Sequence, residues 1–175
     1  MKYITFLILS VFLSVSLSYG QKAETEIDTT TDVKYKNSIG GVAGYTVGLG
    51  LAYKRMFNKF AVQVSFAPYK DEEYSSYNAA FSFYYNLVEA SKINFFVYQG
   101  NHYIYNEYFE YEWNKTNDII DKKTVIESYW NNGLGIGIEI IILKRVGLDL
   151  MAGYASYDNY KRISFTGEIG IGFMF

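Results

Sequence analysis

The chain of 175 residues has no cysteine, one proline and one histidine, and it has no excess of positive charge. Without cysteine the protein is not cross-linked by disulfides and must be stable by other means. No proline-rich or Gly-Ser linker divides the sequence, so we expect one domain. The formal net charge of −2 argues against a nucleic-acid partner, because a protein that binds phosphates presents a basic face.

The sequence also lacks an apolar run long enough for a membrane-spanning helix. The run from Ile4 to Leu17 is about fourteen residues, whereas a spanning helix needs roughly 20. It follows Lys2 and precedes the small residues Ser18 and Gly20. This pattern predicts a secretory signal peptide over residues 1–20, cleaved after Gly20, with an uncleaved anchor as the alternative. Residues 21–34 are polar and without periodicity, so we expect a disordered periplasmic arm.

What the chain has in abundance is 19 Tyr, 13 Phe and 15 Gly, arranged with a period of two. At its end the odd positions form the apolar series Ile163, Phe165, Gly167, Ile169, Ile171, Phe173 and Phe175. The even positions between them are polar or very small. Such alternation is typical of a β-strand between two different environments. Six earlier segments share it or are rich in β-formers, although the phase of residues 93–113 is unclear and a β-bulge near Gly100 is one interpretation.

Short and long links alternate between these segments. The short ones are residues 57–59, 87–91 and 143–145, and the longer ones are 70–74, 109–127 and 156–161. Bacterial transmembrane barrels combine short periplasmic turns, longer outer loops and an even number of strands. Seven strands can be recognised, so an even number requires an eighth. We place it at Tyr35–Gly44 and expect a tight outer turn near Tyr45 to join it to the next strand. We therefore predict an eight-stranded antiparallel up-and-down transmembrane β-barrel over residues 35–175.

A secreted soluble barrel with an inward-facing ligand cavity is the alternative architecture, and the two faces decide against it. The polar faces are crowded with Gly, Ala and Ser, which suits the narrow interior of a small barrel. The apolar faces carry large side chains throughout, as contact with lipid requires. Aromatic residues concentrate toward strand ends, as in the belts at the headgroup level. They are Tyr53, Phe57, Tyr77, Tyr85, Trp130, Tyr154, Phe173 and Phe175.

The stretch GYTVGLGLAYKRMF, Gly44–Phe57, and the terminal alternating series resemble the small outer-membrane β-barrel proteins of Gram-negative bacteria, of the OmpA-transmembrane and OmpX-like group. The resemblance implies a location in the outer membrane, with outer-membrane lipid as a partner. It also implies that the carboxy-terminal strand is read by the barrel assembly machinery. The residues that carry this insertion signature are Phe165, Ile169, Ile171, Phe173 and Phe175. A resemblance of this kind is specific for architecture and weak for function.

A cluster of charged residues is predicted inside the barrel. If Leu143–Arg145 closes as a three-residue turn, Glu139 falls opposite Asp149 and both point inward. Lys54 lies at a similar height above its own turn, across the lumen. We expect Lys54, Glu139 and Asp149 to plug the periplasmic half, with Glu168 higher and Arg162 near the outer rim. The favoured role is structural, because charges inside a barrel must be paired or hydrated. A narrow ion path or a catalytic carboxylate pair are the alternatives.

Catalysis is not expected, and neither is a cofactor or a metal. Outer-membrane lipid-modifying enzymes of this architecture use a His with a Ser, and often an acid or Asn, near the outer rim. The only histidine, His102, has no His-x-Ser motif and no nucleophile elbow beside it. The sequence therefore favours a structural or surface-interaction role, with a lipid-modifying enzyme or a narrow channel as the alternative. The 109–127 loop, rich in aromatic and charged residues, is the candidate site for an extracellular partner through strand addition, although the favoured interpretation is a solvated hairpin without a partner.

Overall fold

The computed structural model of the protein describes residues 35–114 and 119–175. The predicted signal peptide, residues 1–20, and the predicted arm, residues 21–34, lie outside the described residues. No helix in the described part of the chain is long and apolar enough to cross a membrane.

Eight antiparallel strands form a closed barrel in chain order. They are β1 (Asn37–Gly44), β2 (Gly48–Phe57), β3 (Phe60–Lys70), β4 (Tyr74–Glu89), β5 (Ile93–Asn114), β6 (Ile119–Ile142), β7 (Val146–Tyr157) and β8 (Arg162–Met174). Each strand pairs with the next, and β1 closes the barrel on β8, from Ser38 opposite Met174 to Ala43 opposite Ile169. The predicted eight-stranded up-and-down barrel is confirmed.

The period of two in the sequence separates the two surfaces of the wall. In β8, Phe165, Ile169 and Ile171 are exposed on the outside, whereas Thr166 and Glu168 are buried in the lumen. On the other strands, too, large apolar side chains cover the outside, whereas the inside is lined by small and polar side chains together with a buried layer that includes Tyr84, Phe96 and Tyr98. In a soluble protein the apolar side chains lie inside and the polar ones outside. The reverse distribution found here is the one that a lipid environment stabilises.

Turns at one end of the barrel connect β2 to β3, β4 to β5 and β6 to β7 at residues 58–59, 90–92 and 143–145. The last of these closes as predicted, with Ile142 opposite Val146. In the first, Asn58 adopts a φ of 55°, a left-handed conformation that asparagine tolerates better than most residues. Both ends of the barrel sequence also lie here, where the backbone of Asn37 exchanges hydrogen bonds with that of Phe175. We call this the periplasmic end, after the arrangement of bacterial barrels.

Three details differ from the sequence-based expectation. The irregularity in β5 is not at Gly100: the register shifts in the β4–β5 pairing, between Asn86 and Val88 on β4, and the bulge is therefore at Leu87. The first strand begins at Asn37 rather than Tyr35. Most of the 109–127 loop is strand, because β5 and β6 continue to Asn114 and from Ile119 as one paired ribbon.

Candidate functional site

The periplasmic half of the lumen holds a buried ion cluster. Lys54 Nζ on β2 lies 3.1 Å from Glu139 Oε1 on β6 and 2.6 Å from Asp149 Oδ2 on β7. Glu139 and Asp149 are direct partners in the β6–β7 register. Asn94 donates its Nδ2 hydrogen to Glu139 Oε2 at 2.8 Å. The structure thus brings together three of the residues that the sequence singles out.

This ion cluster fills the space that a pore would need. The side chains of Lys54, Glu139 and Asp149 are no more than about one-tenth exposed. The cavity beside them has a volume of about 10 Å³, which is at the lower limit for a single water molecule. A buried lysine between two carboxylates satisfies charges that would otherwise be isolated in a confined interior. This geometry supports the structural interpretation of the ion cluster.

Aromatic side chains fill the middle of the lumen. The ring of Tyr84 meets that of Phe96 edge-on at 5.3 Å and stacks with that of Tyr98 at 6.3 Å. Lys54 Nζ lies 5.1 Å from the centre of the Tyr84 ring, a cation–π contact that joins this layer to the ion cluster. Tyr98 and Met151 are almost completely buried. The two ends of the lumen are therefore separated by packed side chains.

The outer half of the lumen is closed by the turn between β1 and β2, residues 45–47, which folds into the barrel. Thr46 and Val47 are completely inaccessible to solvent. Thr46 Oγ1 donates a hydrogen bond to Glu168 Oε1, and the Val47 backbone N–H donates one to Glu168 Oε2 at 3.0 Å. We call residues 45–47 the plug turn. Glu168, predicted to lie above the ion cluster, is the residue that holds it.

Other strands also bind the backbone of the plug turn. The carbonyl oxygen of Tyr45 lies 3.0 Å from His102 Nδ1 and accepts a hydrogen bond from Asn131 Nδ2 at 3.2 Å. Ser65 Oγ donates to the carbonyl oxygen of Val47 at 2.9 Å. The turn therefore contacts side chains from β3, β5, β6 and β8. It is an integral part of the barrel interior.

Inward-facing glycines make room for the plug turn. A Cβ atom on Gly100 would lie 2.6 Å from the carbonyl oxygen of Thr46, and one on Gly133 would lie 2.6 Å from Thr46 Cγ2. Gly48, directly after the turn, adopts a φ of +89°, which side-chain-bearing residues rarely reach. Sequence reasoning missed this feature. Its signal is a pair of glycines at neighbouring inward positions of β5 and β6, opposite one another in the register.

His102 is a lumen-filling residue in the plug-turn layer. Its ring is 3% exposed, and Nε2 lies 3.1 Å from Asn78 Oδ1 while Nδ1 faces Tyr45. Among the described residues, no serine hydroxyl is hydrogen-bonded to this ring. The partners of His102 are the backbone of the plug turn and an asparagine side chain of β4, and neither forms a nucleophilic pair with it.

The remaining sequence-predicted residues lie on the outside or at the rim. Arg162 is exposed at the outer rim, with its guanidinium 5.1 Å from the centre of the Tyr157 ring. The insertion-signature side chains all face outward, at relative exposures from 46% for Phe173 to 65% for Phe165. The structure shows their direction only, so their recognition by an assembly machinery stays a prediction.

Above the barrel, β5 and β6 continue as a hairpin. The β4–β5 pairing ends at Tyr74 opposite Tyr108, and the β6–β7 pairing ends at Asn132 opposite Ser156. We call Phe109–Asn114 together with Ile119–Glu127 the raised hairpin. Tyr111 Oη donates to Glu73 Oε1 at 2.9 Å in the β3–β4 turn, and this hydrogen bond raises the pKa of Tyr111. Lys122 Nζ lies 3.6 Å from the centre of the Phe109 ring.

The closed ring of eight strands, the apolar outside and the filled lumen define an outer-membrane β-barrel of the smallest size. The N-terminal β-barrel domain of Pseudomonas aeruginosa OprF superposes on it with a TM-score of 0.50 and 10% sequence identity, covering 80% of this chain and 96% of that one. At this identity the likeness concerns the fold alone, and it confirms the resemblance on which the sequence analysis relied.

Two further solved structures are similar at lower scores. Neisserial surface protein A has a TM-score of 0.44 and 12% identity, covering 78% of this chain and 92% of that one. Ail, the attachment invasion locus protein of Yersinia pestis, has a TM-score of 0.44 and 14% identity, covering 82% of this chain and 100% of that one. No protein-family model matches the sequence, and no curated protein does.

Proposed function

We propose that the protein is a non-enzymatic barrel of the outer membrane whose activity is surface interaction through the raised hairpin. The single observation that carries this proposal is the pairing of the hairpin. Among the described residues, Phe109–Asn114 pairs only with β6, and the facing stretch of β6 pairs only with β5. Within this part of the chain, each strand of the hairpin therefore has one backbone edge without a neighbouring strand, and this edge is suited to the addition of an extended peptide.

The dimensions of the raised hairpin support this role. The six residues of Phe109–Asn114 extend for about 20 Å at the usual rise per residue. A two-stranded ribbon is marginally stable in water, so a third strand would stabilise it as well as being bound. Its faces expose large apolar side chains between charged ones, among them Tyr111, Trp113 and Ile126. Aromatic residues of this kind are enriched at binding surfaces.

The filled lumen disfavours the competing functions. The cavity beside Lys54 has a volume of only about 10 Å³, which speaks against an open channel at this level of the lumen. The hydrogen bonds of His102 to the plug-turn layer leave it without the nucleophile that a lipid-modifying enzyme of this architecture uses. A soluble ligand-binding barrel would need an inward cavity, whereas the middle of this lumen is occupied by Tyr84, Phe96 and Tyr98.

The first test measures whether the raised hairpin is exposed on the outside of the cell. Because the chain has no native cysteine, Thr124→Cys in the hairpin and Lys144→Cys in the β6–β7 turn each create a unique thiol. A bulky, membrane-impermeant maleimide added to intact cells should label Thr124→Cys and leave Lys144→Cys unlabelled until the envelope is opened. Labelling of Lys144→Cys alone on intact cells would reverse the orientation and remove the proposal.

The second test removes the hairpin. Tyr108 and Val125 are direct register partners, so deleting residues 109–124 and joining them through an Asn-Gly turn leaves a closed hairpin. Cells that display the full-length protein should adhere to one another or to protein-coated surfaces more strongly than cells that display the trimmed barrel. Equal adhesion, with both proteins showing the faster gel migration of an unboiled barrel, would contradict the proposed role.

A further inference from the structure

The periplasmic end of the barrel is strongly basic. Its rim carries a basic collar of six exposed cationic side chains, Lys36, Arg55, Lys59, Lys92, Lys144 and Arg145. The exposed acidic side chain among the described residues of this rim is Glu89. The outer end is different, because its exposed lysines are interspersed with the acidic β3–β4 turn, residues 71–73, and with Glu110 and Glu127. The two ends carry similar numbers of exposed cations, but only at the periplasmic end do the cations clearly outnumber the acidic side chains of the described residues.

The two arginines of the basic collar sit among aromatic rings at the lipid-facing wall. The Arg55 guanidinium lies 5.6 Å from the centre of the Phe57 ring. That of Arg145 lies 5.7 Å from the ring of Tyr35 and 6.0 Å from that of Phe173. Neither arginine forms a salt bridge with a carboxylate of the described residues. Exposed aromatic side chains at this level mark the headgroup region of the membrane.

A groove opens beside these rings. It has a volume of about 320 Å³ and is lined by the two residues before β1, Tyr35 and Lys36, and by the end of β2 and the turn after it, Arg55, Met56, Phe57 and Asn58. Arg55 Nη1 donates a hydrogen bond to Asn37 Oδ1 at 3.0 Å, which holds the guanidinium at the groove. The site combines cationic donors with an apolar floor, and it lies at the depth of lipid headgroups.

We propose that this groove and the basic collar bind the phosphate headgroup of an anionic phospholipid in the periplasmic leaflet. Guanidinium groups match phosphate geometry by donating two parallel hydrogen bonds. Cationic residues next to a membrane are attracted to anionic lipid surfaces, and the attraction falls within a Debye length. Tyr35 and the exposed ring of Phe57 would contact the glycerol and the upper part of an acyl chain, whereas Met56 packs against the core of the lumen. The membrane in which the barrel resides supplies this ligand at the correct depth.

The test measures lipid selectivity of the whole barrel in bilayers. The protein is reconstituted in phosphatidylcholine vesicles that contain spin-labelled phosphatidylglycerol or spin-labelled phosphatidylcholine, and the motionally restricted fraction of each label is compared. We expect phosphatidylglycerol to be preferred several-fold over phosphatidylcholine at low salt, with the preference shrinking as salt is added. The double variant Arg55→Gln/Arg145→Gln should lose most of this preference.

Two control variants separate the groove from general charge effects. Lys161→Gln/Arg162→Gln removes the same number of cations at the outer rim and should keep the preference. Lys59→Gln/Lys144→Gln changes the turns of the basic collar without altering the groove, and should reduce the preference by less than the arginine variant. Folding of every variant is checked by its unboiled gel migration. If the arginine variant does not fold, the lysine variant still tests the collar.

Three results would overturn the proposal. The first is an equal affinity of the unaltered barrel for both spin-labelled lipids. The second is an unchanged preference in the folded arginine variant, or in the lysine variant if the arginine variant does not fold. The third is loss of the preference on addition of millimolar inorganic phosphate at constant ionic strength, which would identify a site for free phosphate instead of a lipid. None of these results bears on the raised hairpin, so this inference and the proposed function can fail independently.

Discussion

The lumen buries carboxylates in two layers, and the two layers stabilise them differently. In the periplasmic half, Glu139 and Asp149 share the cation Lys54 at 3.1 and 2.6 Å. In the outer half, Glu168 accepts hydrogen bonds from Thr46, Val47 and Thr166 without a cation among its described hydrogen-bond partners. A small barrel can therefore bury an acid either by neutralising its charge or by surrounding it with neutral donors.

The difference follows from what each layer has to hold in place. The ion cluster joins side chains from β2, β6 and β7. The backbone pairing of the barrel already fixes the positions of these strands, so Lys54 only has to reach across the lumen to the two carboxylates. The plug turn is a loop with no strand partner of its own inside the lumen. Glu168 binds both a side chain and a backbone N–H of this turn, and thereby converts a loop into part of the core. Buried polar networks of this kind specify a single arrangement when every member is satisfied.

The largest expected effect comes from removing the cation. Lys54→Met leaves Glu139 and Asp149 facing each other in a confined space, and we expect a loss of about 3 to 5 kcal/mol in the free energy of unfolding. Urea-induced unfolding in lipid vesicles, followed by tryptophan fluorescence, measures it. The matched control is Lys54→Met/Glu139→Gln/Asp149→Asn, in which no charge remains in the ion cluster. Recovery of most of the stability is expected, and equal instability of both variants would show that Lys54 acts through packing instead.

An intermediate effect is expected in the layer without a cation. Thr46→Val keeps the shape of the side chain and removes its hydrogen bond to Glu168, which is worth about 1.5 to 3 kcal/mol for a charged acceptor. The same unfolding experiment measures the loss. Thr46→Ser, which retains the hydroxyl group, should lose less than Thr46→Val. If both variants were as stable as the unaltered chain, Glu168 would not depend on the plug turn.

A smaller loss tests the space around the plug turn. Gly100→Ala places a methyl group against the Thr46 carbonyl oxygen, and the turn has to shift, which we expect to lower stability by about 1 to 3 kcal/mol. Gly167→Ala is the matched control, since a Cβ atom there meets nothing within 4 Å. Equal stability of the two variants would mean that the plug turn is not packed against β5.

The ion cluster could be predicted from the sequence because it follows from local regularities. The alternation of Gly133–Ile142 and Val146–Tyr154, together with a three-residue turn, determines that Glu139 faces Asp149, and the register agrees. The height of Lys54 above its own turn places it at the same level. The period of the alternation and the length of a turn both depend on residues that are close together in the chain. They can therefore be recognised in a single sequence.

The plug turn could not be predicted in this way, since alternation describes the wall and says nothing about the direction of a turn. The turn near Tyr45 was expected, but its inward fold depends on contacts with Glu168, 121 to 122 residues away in the sequence. The role of Gly100 is hidden in the sequence for the same reason, because Thr46, the residue it contacts, is distant in the chain. The strands of the raised hairpin are hard to recognise in the sequence because its charged residues obscure the alternation.

The closed lumen is the central structural feature of this barrel, and a measurement of ion conductance tests it most directly. The folded protein, verified by faster gel migration before boiling than after, is incorporated into a planar lipid bilayer under an applied voltage. We predict no stable conductance steps, because the ion cluster, the aromatic layer and the plug turn close the barrel in succession. Reproducible single-channel openings of the unaltered protein would contradict the sealed lumen and make transport, instead of surface interaction, the function to pursue.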